Sequence, residues 1–275
     1  MAPAVAAEAG QLRQEAESDD VAWPIDPATH PRPTASIARA TGPVVVDGRP
    51  DEAAWSEAVP ITRFVQAQPD QGHPATERTE VRLLYDDDGI YISCVCHDSH
   101  PDALTVTSLA RDFPVGQNDA LSFVFNPNPA RRTGFMFSVN PDGAWWDGQT
   151  FDDMRVVNSV WDSPMEAAAR RTPYGWSMEA GIPWTSLRFE GSPGTQEWGF
   201  NVLRRVRRLN EMAYWSPLQR HENLGKLSRA GTITGLEGLR QGRNLRIKPY
   251  VLGSLASGGG GLASDDDLDA GGDLK

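Results

Sequence analysis

The sequence predicts an all-β fold, an antiparallel β-sandwich or a barrel, with one or two short helices. Three observations predict it. From Ser36 onward short apolar runs alternate with Gly, Pro, Asp and Asn clusters, the rhythm of strands joined by turns. Helix signals are few. Hydrophobic residues make up 39% of the 275 and charged residues 23%, enough apolar side chain for a real core.

Taken in chain order, residues 1–34 hold Ala, Glu, Asp and Pro without apolar periodicity and read as a disordered lead-in. The opening "MAPAVAAEAGQ" lacks the basic and apolar regions of an intact signal peptide. It reads as a mature N-terminus with an added Met1. A folded domain is expected over 35–241. In "DGRPDEAAWSEA", Pro50 beside acidic residues marks a short helix over Asp51 to Ala58. "EVRLLYDDDGIYISCVCHD" reads as two strands, Glu80 to Tyr85 and Ile90 to His97, closed by an Asp/Gly turn. Further strands are expected in "DALSFVFNP", "GFMFSVNP", "GWSMEAGIP", "EWGFNVLRRVRR", "MAYWSP" and "AGTITGLEGL", with one more helical turn in "PWTSLRF". Arginines on both faces of "RRVRR" suggest that this strand leaves the core at Arg204. Residues 242–275 begin strand-like, "RNLRIKPYVLGSL", and continue Gly-rich and acidic, a linker or the start of another region.

Charge and motif content exclude several classes. With 37 Asp and Glu against 26 Lys and Arg, the net charge is −11, which argues against a nucleic-acid partner. No run of 18 apolar residues offers a membrane helix. No H-E-x-x-H, G-x-S-x-G or P-loop appears, so the chain reads as non-catalytic. Cys94 and Cys96 sit at i, i+2 on a strand, poorly placed for a mutual disulfide, and read as small buried hydrophobes.

The tryptophans carry the functional signal. Trp55, Trp176 and Trp198 fall on apolar faces and are expected in the core, with Trp184 plugging the end of the fold. Trp145, Trp146, Trp161 and Trp215 stand beside turns and polar residues. Sugar recognition needs a flat apolar face flanked by carboxylates and amides. "WWDGQTFDD" supplies Asp147, Gln149, Asp152 and Asp153 there, and "VVNSVWD" supplies Asn158 and Asp162. Because successive strand residues face opposite ways, Trp145 and Trp146 must diverge. In "RDFPVGQND", Asp112, Asn118 and Asp119 offer oxygens suited to part of a calcium site.

Together "VVVDGRPDEAAWSEA", "EVRLLYDDDGIYISCVCHDSHP", "FSVNPDGAWWDG", "WSMEAGIPWTSLRF" and "EWGFNVLRRVRRLNEMAYWSPL" resemble the family 9-like carbohydrate-binding module. More narrowly, they resemble its occurrence in bacterial envelope proteins of the DUF5916 type. The resemblance implies a β-sandwich that binds a polysaccharide or oligosaccharide, with calcium as a structural ion. It implies a periplasmic or outer-membrane location, reached through a signal peptide absent here. It also implies a C-terminal outer-membrane β-barrel of the same protein, opening at "RNLRIKPYVLGS", as partner. A second reading is a structural or gating domain docked on that barrel without sugar. A third, from fold analogy, is a b-type haem held by His97 with Met136 or Met154.

Overall fold

The computed structural model describes residues 22–128, 130–191 and 194–239, and the backbone of 247–256 and 265–274. In order the strands are β1 (Thr34–Ser36), β2 (Ala38–Arg39), β3 (Val65–Gln68), β4 (Thr79–Tyr85), β5 (Gly89–His97), β6 (Ala120–Asn126), β7 (Thr133–Val139) and β8 (Trp145–Phe151). They continue with β9 (Val156–Asn158), β10 (Glu166–Thr172), β11 (Gly175–Pro183), β12 (Gln196–Val206), β13 (Glu211–Tyr214), β14 (Gly231–Leu236), β15 (Ile247–Ala256) and β16 (Asp265–Leu274). The helical pieces among the described residues are short 3₁₀ turns.

Two sheets form a sandwich. The larger runs β1-β14-β12-β6-β7-β8-β9, with β13 joining β12 to β3; the smaller runs β10-β11-β5-β4-β2. Pairing is antiparallel except at two edges, where β1 lies parallel to β14 and β2 parallel to β4. The β4–β5 hairpin forms as its sequence predicts, because its turn is locally determined. Asp86 accepts the amides of Asp88 and Gly89 at 2.8 and 3.0 Å and the Tyr91 hydroxyl at 3.1 Å, which is Asp in its usual turn role.

Strand alternation builds the core. Phe123, Phe125, Phe135, Phe137, Phe200 and Val202 face inward from the larger sheet. Val81, Leu83, Ile92, Trp176, Met178 and Ala180 meet them from the smaller one. Each of the Val, Leu, Ile, Met and Phe side chains contributes about 1.5–3 kcal/mol through burial. Trp184 closes one end, edge-on to Tyr85, Phe189 and Trp198. Cys94 and Cys96 are free, buried and 3.2 Å apart at sulfur.

Three expectations change. The helix over 51–58 is a 3₁₀ turn over Ala53–Glu57 that buries Ala54 and Trp55; a single turn fixes too few hydrogen bonds to make an α-helix. It covers the outer face of the smaller sheet, where Glu179, fully buried, accepts Trp55 Nε1 at 2.8 Å and the amides of Asp47 and Gly48 at 3.1 and 3.0 Å. Second, Arg204 does not lead β12 out of the core. It is 1% exposed, lies 5.0 Å over the Trp176 ring and stands 3.9 Å from Asp98. An aromatic face and a carboxylate let the charge stay inside.

Third, the chain is structured earlier than its composition suggests, and strand structure continues through the Asp-rich end. Within the stretch read as lead-in, the Ile25 amide already donates to the Gly72 carbonyl at 2.9 Å; residues 1–21 lie outside the described residues. Beyond the sandwich, β15 and β16 pair antiparallel over ten residues each, with Val251 opposite Ala270 and Lys248 opposite Asp273. The Asp-rich run therefore supplies a strand. Its sequence alternates, with Leu268, Ala270, Gly272 and Leu274 interleaved with Asp267, Asp269, Gly271 and Asp273, and that period suits pairing.

Candidate functional site

The turn from Asn140 to Gly143 sets the site. Asn140 Oδ1 accepts the amides of Asp142 and Ala144 at 3.1 and 3.0 Å, and Gly143 takes φ 85°, a left-handed value natural to glycine. β8 then starts at Trp145. Its register against β7 pairs Trp145 with Val139 and Trp146 with Ser138. Val139 belongs to the inner core, so Trp145, Asp147 and Gln149 face between the sheets. Trp146, Gly148 and Thr150 face outward.

On the inner side Trp145 packs against the core, and the Arg111 guanidinium lies 4.1 Å over its ring. Arg111 also reaches Asp147 at 3.2 Å and Asp162 at 2.7 Å. Asp147 is 1% exposed at its side chain and accepts the Ser163 amide at 2.5 Å. Burial pushes its pKa up in spite of that amide and Arg111. Trp161 stands near the same shelf, 5.3 Å from Phe135 and 6.0 Å from Phe137. The loop carrying Arg111 is stapled in place. Asp119 accepts the amides of Thr105 (2.5 Å) and Arg207 (2.9 Å), Asn118 Oδ1 accepts Thr107 N (2.6 Å), and Asn140 donates to Ser108 O (2.9 Å).

The outer side is different. Register partners run in one row across five strands, from Trp146 through Ser138, Ser122 and Leu203 to Tyr214. The next row holds Ala120, Arg205 and Met212. The middle of the face is thus floored by small side chains, with Ser138 Oγ donating to Ser122 Oγ at 2.7 Å. Half-buried Trp146 lies along β8 over Gly148, where a Cβ would come within 2.8 Å of the ring. At the other flank Tyr214 Oη and Arg205 Nε are buried with no hydrogen-bond partner among the described residues. Burial lowers the Arg205 pKa and raises that of Tyr214. Ser122, Ser138 and Tyr214 are buried, and Tyr214 packs in a cluster with Leu218, Leu224 and Leu227 that the half-buried Trp146 joins.

The family model described as carbohydrate family 9 binding domain-like matches residues 46–205. The chain belongs to this family. The family 9 module also resembles solved structures in fold. A candidate carbohydrate-binding protein from Bacteroides uniformis superposes with TM-score 0.61 at 11% identity, covering 74% of this chain and 99% of its own. A family 9 carbohydrate-binding module from Caldicellulosiruptor kristjanssonii, solved with cellotriose, gives 0.54 at 17% identity, covering 76% and 95%. Its glucose complex gives 0.52 at 16%, covering 78% and 100%. No curated protein matches the chain in sequence.

Within the family 9 module the predicted residues separate. Trp145, Asp147 and Asp162 come together around Arg111, Trp161 packs on Phe135 and Phe137, and Trp146 stands on the opposite face. Gln149 pairs in register with Asn158, whose side chain accepts the Val160 amide at 3.2 Å. Trp215 is a correction. At 6% exposure it packs against Phe200 in the core, with Gly231 leaving room for its ring, so it offers no platform. The calcium set does not fit either. The oxygens of Asp119 and the Oδ1 of Asn118 are engaged by backbone amides, and Asp112 sits exposed at φ 61°. Among the described residues no three His, Cys, Asp or Glu side chains gather at metal-binding spacing.

The haem ligands likewise fall apart. His97 is on the outer face of the smaller sheet, 3.3 Å from Glu80, whereas Met136 and Met154 pack on the outer face of the larger. Two stacked sheets, about 10 Å apart, lie between them.

Residues missed in the sequence are Arg111, Ser122, Ser138, Arg205 and Tyr214. The one available signal was Ser at outward positions in the strands "ALSFVFN" and "TGFMFSV", where a small hydroxyl stands among large apolar side chains.

Proposed function

We propose that this module binds carbohydrate without chemistry, on the outer face of its larger sheet. The observation that carries the reading is the Trp146 indole, half-buried on the outward side of β8. An indole offers its apolar face to the C–H side of a pyranose. Relatives in fold were solved with cellotriose and glucose, which supports neutral hexose chains as first probes. Trp145 plays no such part, because Arg111 already covers its ring.

In this reading Trp146→Ala weakens cellotriose or glucose binding roughly 30- to 100-fold in calorimetry, while Trp145→Ala binds as wild type and melts earlier. A glycan array extends the screen to other sugars. Equal binding by Trp146→Ala, or silence across the whole array, sinks the proposal.

The same reading sets the module at the bacterial cell envelope, ahead of a membrane β-barrel that begins with β15. Two points support this: the resemblance of five sequence blocks to envelope proteins, and a hairpin of two ten-residue strands, the length of barrel strands that cross a bilayer.

A further inference from the structure

A cleft of about 600 Å³ lies at the far end of β8 from the tryptophans, where the larger sheet meets the N-terminal segment and the loop through Ser228. Six residues of strand separate Trp146 from Asp152, about 20 Å. In a chain of net charge −11, this cleft is basic. Arg32, Arg131, Arg132, Arg155 and Lys226 line it against two carboxylates, Asp152 and Asp153.

The carboxylates are already spent. Asp152 accepts Arg132 Nε at 3.1 Å. Asp153 accepts Lys226 Nζ at 2.9 Å together with the amide and hydroxyl of Ser228 at 2.9 and 2.8 Å. Three guanidiniums therefore have no carboxylate at ion-pair distance among the described residues. Arg131 is anchored by Ala230 O at 2.6 Å and Thr232 Oγ1 at 2.9 Å, and Arg32 by Ser228 O at 2.9 Å. Both groups are thus fixed in place by uncharged partners. Arg155 is exposed and has no side-chain partner among the described residues. Burial and the neighbouring Arg32 charge lower the Arg131 pKa, against the opposing charge of Glu197. The wall opposite is strained. Asp152, Asp153 and Met154 take φ of 49°, 56° and 76° in succession, left-handed values that side-chain-bearing residues avoid.

We infer that this cleft binds the carboxylate or sulfate groups of an acidic glycan, which would extend the chain held at Trp146. The inference rests on the carbohydrate reading above. Fixed guanidiniums with no carboxylate at ion-pair distance suit such groups, since the planar fork matches two oxygens at once.

The test uses the full chain, with polygalacturonate and dextran sulfate as carboxylated and sulfated probes and cellotriose as the neutral one. Expected is tighter retention of at least one polyanion than of cellotriose, weakening as salt rises from about 50 to about 300 mM. Arg155→Glu weakens it roughly five- to tenfold, and Arg132→Glu with Arg155→Glu weakens it further, with unchanged melting. Which polyanion binds identifies the acidic group. Polyanion binding untouched by charge reversal overturns the inference. Trp146-dependent cellotriose binding without preference for either polyanion also overturns it and leaves the carbohydrate reading standing. Absence of any glycan binding removes both.

Discussion

Asp98→Ala is expected to lower the unfolding free energy by about 3–5 kcal/mol, the cost of stranding buried charge. The Asp98 side chain is 1% exposed and holds three groups. Its Oδ1 accepts Arg208 Nε at 3.2 Å, Arg208 Nη2 at 2.9 Å and the His100 amide at 2.8 Å. Its Oδ2 faces Arg204 at 3.9 Å. Among the described residues, removing the carboxylate leaves Arg204 inside the core with no carboxylate at ion-pair distance and Arg208 with Glu77 and Ser99 alone. The reverse substitution behaves differently. Arg204 Nε, Nη1 and Nη2 make no hydrogen bond among the described residues, so Arg204→Met removes an ion that is poorly compensated. Asp98 meanwhile keeps Arg208. Arg204→Met is expected to be neutral or to stabilise by about 1–4 kcal/mol. Urea melts at pH 7 check both. If Arg204→Met destabilises as much as Asp98→Ala, the pair acts as one unit and this account is wrong.

Glu179→Ala should cost roughly 3 kcal/mol or more. It strands three buried donors, the indole of Trp55 and the amides of Asp47 and Gly48, at about 1–3 kcal/mol each. Its pH dependence gives an independent check. Burial, outweighing those donors, raises the Glu179 pKa from 4.5 to about 6. The folded state therefore binds more protons than the unfolded state between these values. Stability from this group is greatest below pH 4.5 and falls as pH rises through 6, by about 2 kcal/mol in all. Subtracting the Glu179→Ala profile from that of the wild type isolates this slope. A flat difference between pH 4.5 and 6.5 would show that Glu179 titrates normally.

Local signals explain what could be read in advance. The β4–β5 hairpin carries its strands and its Asp86 turn within one short stretch, and the inward tryptophans follow from alternation. The divergence of Trp145 and Trp146 followed from alternation too, but which indole lies under a guanidinium did not. That depends on Arg111, 34 residues upstream of Trp145 by numbering and brought over it by side-chain staples. Asn118 and Asp119 looked like ion ligands because an oxygen that caps an amide and one that binds calcium are the same residue type. Arg204 was misplaced for a similar reason. Its aromatic and acidic neighbours come from β11 and from the residue just past β5, and nothing near it in sequence announces them. The outer row is assembled from five strands, each adding a single residue, so no continuous stretch contains it.

The parallel edge pairs carry a practical consequence for anyone cutting the protein into pieces. One short segment supplies β1 to the rim of the larger sheet and, two residues later, β2 to the rim of the smaller. It acts as a clasp closing both layers on one side. The family match begins only at residue 46. A fragment started there would lose the clasp and bare the rims of β14 and β4 together, two unpaired edges open to strand-by-strand association. The minimal soluble unit therefore starts upstream of the recognisable homology, before Thr34.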